Sequence, residues 1–268
     1  MVAVVAIAVF VALTVVVTTS SSLGLDSRGF QIVNDLRAPW LDHAARVITA
    51  LGLIAIVGPV LLLAAALLTR RRHHAHATAL AAGAALAWIS VWIVKTAVHR
   101  ARPPAPLVHT AGQSYPSAHA ANSIGWLALA IALTVTIPTR VGRITAVAAG
   151  ALLAALVGLS RIYLRAHYAS DVLAGEALAV AIYALAAIGS LAWPALRHSA
   201  ITAEVTSARP PTSIATTTRP QERSRAADVR RPMTANEPSR AWLVQRGRDP
   251  HSEPCLLGTP DSNPQQTC

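Results

Sequence analysis

ITAVAAGALLAALVGLSRIYLRAHYASDVLAGEALAVAIYALAAIGSLAWP, residues 144–194, decides the fold class. Two runs rich in Ala, Leu and Val, at 144–163 and 172–194, flank one polar join, SRIYLRAHYASD at 160–171. Each run is near the ~20 residues a helix needs to cross ~30 Å of hydrocarbon. Four more such segments precede them, at 2–19, 47–69, 78–98 and 119–138. The expectation is an all-α polytopic membrane helix bundle with about six transmembrane helices.

Composition agrees. Of 268 residues, 53% are hydrophobic and 13% charged, so length priors for soluble domains do not apply. Cys255 and Cys268 lie far along the chain and give neither a disulfide framework nor metal-ligand spacing. The formal charge is +11 and is carried almost wholly by Arg, because Lys95 is the sole lysine. The first segment lacks a basic n-region and a clean cleavage site, so it reads as a retained span rather than a signal peptide. Gly58-Pro59 inside the second suggests a kink. Residues 26–46, with mixed charges and Trp40, suit a short interfacial segment. TRRRHHAHA at 69–77 is a polar turn. From 198 to 268, Pro, Ser, Thr, Arg and Gln dominate without apolar period. That segment is expected to be a disordered tail behind a membrane domain at 1–197. No internal repeat is visible, and nothing specifies an oligomeric state.

Span numbering brings distant residues together. The third span ends near Lys95 and the fourth begins near His119; the fifth ends near Arg161 and the sixth begins near Asp171. An odd span's end and the next span's start lie on one side of the bilayer. KTAVHRARP (95–103), YPSAH (115–119) and SRIYLRAHYASD therefore share one membrane face. A charge at mid-bilayer costs roughly 2.5–3.5 kcal/mol on insertion scales, so these residues belong at the interface or in a wet cleft. Lys95, Arg102 and Arg161 offer three cations, and guanidinium forks match phosphate oxygens in pairs. Pro116 and Ser117 open a helix whose unpaired N–H groups favour an anion. The expected ligand is a phosphate group.

Two histidines fit that ligand. His167 and Asp171 share a helical face if the sixth helix starts early enough. A carboxylate on one ring nitrogen would leave the other free to attack. His119, near a helix start, could protonate a leaving oxygen as general acid. One acid and two histidines do not make a metal cage.

At these residues the sequence resembles the type 2 phosphatidic acid phosphatase superfamily, the lipid phosphate phosphatases. Its motifs are K-x6-R-P, P-S-G-H and S-R-x5-H-x3-D. Lys95, Arg102 and Pro103 fit the first; Pro116, Ser117 and His119 the second; Ser160, Arg161, His167 and Asp171 the third. The resemblance covers roughly residues 20–195. It implies that Lys95, Arg102 and Arg161 hold phosphate, with Ser117 adding its hydroxyl or backbone N–H. It implies His167 as nucleophile forming a phosphohistidine, Asp171 as its orienting partner and His119 as acid. It implies no metal and no cofactor. Ala118 replaces the motif's Gly; in a helical conformation that costs little, whereas at positive φ it would be strained. The helical case is expected.

Other residues read more plainly. His99, Arg100 and Arg165 lack motif positions and read as solvated interface charge. His73, His74 and His76 adjoin Arg70, Arg71 and Arg72, which repel cations, so a basic turn is favoured over a metal grip. Glu176 lies nine residues past His167, near the opposite helical face, and reads as a packing or protonated side chain. Acids interspersed among the tail's arginines weigh against binding of nucleic acid or anionic lipid.

Turns 69–77 and 139–143 carry Arg70, Arg71, Arg72, Arg140 and Arg143 without acids. The positive-inside rule puts them and both termini in the cytoplasm, with the site outside. The reading is a membrane phosphatase acting on a lipid phosphate or diphosphate, such as undecaprenyl diphosphate, phosphatidylglycerophosphate or phosphatidate. The loop 104–114, with His109 and Gln113, is the expected headgroup selector. Two alternatives use the same anion site: a vanadate-dependent haloperoxidase, whose family shares the motifs, and a non-enzymatic lipid carrier or channel.

Overall fold

In the computed structural model, residues 1–20 and 23–208 are described, with side chains described as far as residue 192. Among them the chain forms eight helices and no strand: α1 (Val2–Thr19), α2 (Gly24–Asp35), α3 (Pro39–Ala50), α4 (Ile54–Arg70), α5 (His74–Val98), α6 (Ala118–Leu133), α7 (Arg140–Tyr163) and α8 (Ala169–Ala208). Helices α1, α5, α7 and the first part of α8 are each long and apolar enough to cross a membrane. The bent pair α3–α4 makes a fifth candidate. Outward-facing Val4, Leu62, Trp92 and Val141 are each more than 60% exposed. A contiguous apolar exterior of this kind suits lipid, not water.

Three features depart from the expected pattern. The break in the second segment falls at residues 51–53, with a 45° bend; Pro59 sits inside continuous α4. Gly52 explains the position. A Cβ there would lie 2.9 Å from the His119 carbonyl oxygen and 2.7 Å from Val157 Cγ1, so only glycine lets the bend seat against α6 and α7. The fourth segment is short. Helix α6 has 16 residues, about 24 Å of rise, because the chain breaks out of helix after Leu133. Helix α8 runs through the expected boundary at 197 to Ala208; the rest of the expected tail lies outside the described residues.

Local signals set several ends. Pro39 stands at the start of α3 with Asp42 in its first turn, the favoured order at a helix N-terminus. Thr139 caps α7 by accepting from Gly142 N at 3.1 Å. Helix α5 stops at His99, which takes left-handed φ 51°, ψ 34°.

Packing relies on small side chains. One cluster joins Val57, Leu61 and Leu68 of α4 to Ala77 and Leu80 of α5. A second joins Ala87 and Val91 of α5 to Ala121 and Ile124 of α6, Ala154 of α7 and Ala179 of α8. Lipid tails are as apolar as Leu, so helices associate in a membrane through close backbone approach rather than through water exclusion. The C-terminal end of α5, the N-terminal end of α6, the C-terminal end of α7 and the N-terminal end of α8 meet at one end of the bundle.

Candidate active site

Each polar segment contributes from a helix end. The three are joined by direct contacts. Arg102 Nη1 lies 3.2 Å from His167 Nε2. Ser117 N donates to the Asp171 carbonyl at 2.9 Å. Lys95, Ala118 and His119 line one cavity of about 210 Å³ with Gly52, Trp88 and Asn122. Arg161, Arg102 and Lys95 are all within Coulombic reach of His119.

His167 lies in the turn between α7 and α8, not on α8 itself. Its backbone N and that of Ala166 both donate to the Arg161 carbonyl, which fixes the turn. Asp171 therefore does not share a helical face with His167, as the spacing suggested. It stands three residues into the start of α8 and turns back. Its Oδ2 accepts from Tyr168 N at 3.0 Å, as an acid in the first turn does in a capping box. Ser114 Oγ donates to the same oxygen. His167 Nδ1 lies 3.5 Å from that oxygen and has no hydrogen-bond partner among the described residues. Burial, with Arg161 and Arg102 nearby, lowers the His167 pKa to about 4 against the pull of Asp171. The ring is neutral at pH 7, with Nε2 facing a guanidinium.

Two of the three cations are held in place by carbonyl oxygens. Arg102 Nη1 donates to Ala166 O at 2.8 Å, Nε to Gly112 O at 3.0 Å and Nη2 to Ala111 O at 2.8 Å. Burial lowers its pKa, and a guanidinium stays charged regardless. Lys95 Nζ donates to Gln113 O at 2.8 Å. Arg161 is buried, donates from Nη1 to Thr49 Oγ1 at 2.8 Å, and leaves Nε without a partner among the described residues.

Ser117 sits at the N-cap of α6, fully buried, its Oγ 3.5 Å from Ala120 N. Its own N–H is already bonded to Asp171 O, so that donor is not free for an anion. Ala118 is the first residue of α6 and is not among the positive-φ residues; replacing Gly there brings no backbone strain.

Residues 76–194 match the model of the PAP2 superfamily. All three motif segments, from Lys95 to Asp171, lie within that match. Phosphatidylglycerophosphatase B of Bacillus subtilis (strain 168) is 28% identical over 154 residues, 56% of this chain and 75% of that relative. The crystal structure of a transmembrane PAP2-type phosphatidylglycerolphosphate phosphatase from Bacillus subtilis superposes with a TM-score of 0.63 at 26% identity. It covers 69% of this chain and 93% of its own. Aquifex aeolicus LpxE gives a TM-score of 0.50 at 24% identity, over 63% of this chain and 96% of its own; that likeness is one of fold. These likenesses indicate a lipid phosphatase.

Two residues of this site escaped the sequence reading. Arg100 is not solvated interface charge. Its side chain is 18% exposed and bonds both Asp171 Oδ1, at 2.5 Å, and Asp26 Oδ2, at 2.7 Å. Asp26 is buried in α2 and also accepts from Ser170 N at 2.9 Å. The only signal was a shortage of anions: three motif cations and Arg100 stood against Asp171 alone. Arg165 likewise is not free. It takes φ 52° and holds its guanidinium 5.1 Å from the Phe30 ring centre. His99 is exposed. Glu176 packs against Gly158 of α7, away from these contacts.

Proposed function

We propose that this chain is a PAP2 phosphatase that hydrolyses a lipid phosphate through a phosphohistidine on His167. The contact that carries the reading is Arg102 Nη1 at 3.2 Å from His167 Nε2: a guanidinium fork stands beside the one ring nitrogen not facing Asp171. A phosphoryl group seated between them would accept from Arg102, from Lys95 and from the unpartnered Nε of Arg161. The Nε2 lone pair attacks phosphorus, the bond to the lipid oxygen breaks, and His119 delivers a proton to that oxygen. Asp171 balances the charge on the imidazolium. Water then attacks phosphorus, gives its proton to His119, and the P–N bond breaks to free phosphate and His167.

Substrate choice rests on similarity. The relatives named above favour phosphatidylglycerophosphate; undecaprenyl diphosphate and phosphatidate are the comparators. In this reading α1, α3–α4, α5, α6, α7 and α8 make six spans, with short α6 completing its crossing through residues 134–139. Arg70, Arg71, Arg72, Arg140 and Arg143 lie at the opposite helix ends from the site, which favours a site on the outer face under the positive-inside rule. The test is phosphate release from those three lipids in detergent with EDTA present, wild type against His167→Ala. Turnover abolished in a folded variant supports the reading. EDTA-sensitive turnover or equal rates would refute it. A haloperoxidase would instead oxidise bromide with added vanadate, and a carrier would tolerate His167→Ala.

A further inference from the structure

We propose that Arg100, anchored by Asp26 of α2, is a positioning residue that holds Asp171 and sets how much of that carboxylate's charge reaches His167. The inference rests on the phosphohistidine reading above. Arg100 sits between two carboxylates. Nη1 donates to Asp171 Oδ1 at 2.5 Å and to Ser170 Oγ at 2.7 Å, while Nη2 donates to Asp26 Oδ2 at 2.7 Å. Ser170 Oγ donates in turn to Asp26 Oδ2 at 2.9 Å. The Tyr168 ring packs under the guanidinium, 4.2 Å from its carbon. Nothing here is loose: Asp26 is 5% exposed, and Ser170 and Asp171 are fully buried.

The consequence follows from how Asp171 is divided. One oxygen belongs to Arg100. The other is bonded by Ser114 and Tyr168 N and stands 3.5 Å from His167 Nδ1. A carboxylate with its charge spent on a guanidinium stabilises the imidazolium less, and the ring stays neutral, hence nucleophilic, further into acid. Burial opposes the Arg100 charge, but the Asp171 and Asp26 carboxylates outweigh it and raise the Arg100 pKa, so the bridge is a permanent ion pair. Two further cations lie near the ring, Arg102 from the loop and Arg161 from α7; His119 of α6 is a further ionisable neighbour, with Lys95 of α5 beyond it. Among the cations of the described residues, Arg100 alone bonds the Asp171 carboxylate.

Opposite charges at one bridge predict opposite shifts, which simple loosening of the fold would not produce. The experiment is NMR titration of the His167 ring in ¹³C-histidine-labelled full-length protein in micelles, its signal assigned by its loss in His167→Gln. Arg100→Gln removes a cation and is expected to raise the titration midpoint by about one pH unit or more. Asp26→Asn removes an anion and is expected to lower it. The double variant should lie between the two, and Arg100→Lys should stay near wild type. The acid limb of phosphate release should move with the ring. Equal midpoints in folded wild type and Arg100→Gln, or shifts of one sign in both single variants, would overturn the inference. If Arg100→Gln does not fold, a midpoint unmoved or raised by Asp26→Asn overturns it just as well. A wild type that releases no phosphate from any lipid refutes the phosphatase reading, while the titration still decides the role of Arg100.

Discussion

Gly175→Ala tests whether the contact between α6 and α8 sets the site. Gly175 is buried under the first turn of α6, and a Cβ there would stand 2.5 Å from the Ser117 carbonyl oxygen. Ordinary contact begins near 3.4 Å, so the two backbones must part by about 0.9 Å. The obstruction is backbone, not the tip of a flexible side chain, so no rotamer change relieves it. Ser117 N and Asp171 O, now 2.9 Å apart, lie within one turn of the clash, and their bond is the strap between the second and third motifs. Overpacking of this kind costs about 1–3 kcal/mol. A displacement near 1 Å between reacting groups costs roughly 100-fold in rate. The expected outcome is a folded variant with a lower melting temperature and kcat down by roughly two orders of magnitude. Gly189→Ala, also in α8 and with nothing within 4 Å of its Cβ, should be neutral or slightly stabilising. The assay is initial-rate phosphate release in micelles beside thermal unfolding. Wild-type kcat in Gly175→Ala would refute the reasoning.

Four further outcomes are expected. The ring of His167 is neutral above about pH 4, so kcat/KM should rise with pH through that value and show no His167 limb between 5 and 8; a limb near 6.5 would count against it. The same depression means the unfolded chain takes up its proton first, near pH 6.5, so melting temperature should fall as pH drops from about 6.5 toward 4 and this fall should vanish in His167→Gln. Arg102→Lys keeps the charge but loses the fork that reaches Ala111, Ala166 and His167 together; a lost charge-assisted bond of about 1.5–3 kcal/mol predicts roughly a 10- to 100-fold fall in kcat/KM, and an unchanged value would argue against paired recognition. His119→Gln should lower kcat/KM for lipid phosphates by about 10²–10⁴ yet spare kcat/KM for p-nitrophenyl phosphate, whose leaving group needs no proton; equal losses of kcat/KM on both substrates would remove His119 from the acid role.

The membrane bundle was legible because lipid demands long unbroken apolar helices, and residues 144–194 can form little else. The meeting of Lys95, His119 and Arg161 at one end followed from counting crossings, which needs no contact information. Other features left weaker marks. The bend at Gly52 is set by how closely α6 passes, a tertiary fact that Gly58-Pro59 outshone as a local kink signal. The start of α8 at Ala169, past His167, depends on a turn tied to the Arg161 carbonyl; from spacing alone, His167 and Asp171 looked like neighbours on a helix. The ion pair between Arg100 and Asp26 joins residues with 73 positions between them, and no periodicity links an interfacial helix to a loop.

Those missed features share a physical origin that bears on how the site keeps its shape. Apolar side chains facing lipid gain nothing from leaving it, so the bundle cannot be pressed together by hydrophobic burial as a soluble enzyme is. Close approach must supply the precision instead. Gly52 lets the α3–α4 bend touch the carbonyl of His119, and Gly175 lets α8 touch the carbonyl of Ser117. At both points the first turn of α6, which carries Ala118 and His119, is clamped by backbone contact from a different helix. On the other flank, Arg100 ties α2 to the start of α8 by charge. A mutation that enlarges either glycine moves the acid and the anion site together, whereas one at Arg100 or Asp26 leaves α6 in place and changes only what His167 feels. Measured kcat losses at Gly52 and Gly175 without a shift in the His167 titration, set beside a titration shift at Arg100 with a near-native melting temperature, would separate the two roles; coincident changes in all four would mean that geometry and charge are not independently held.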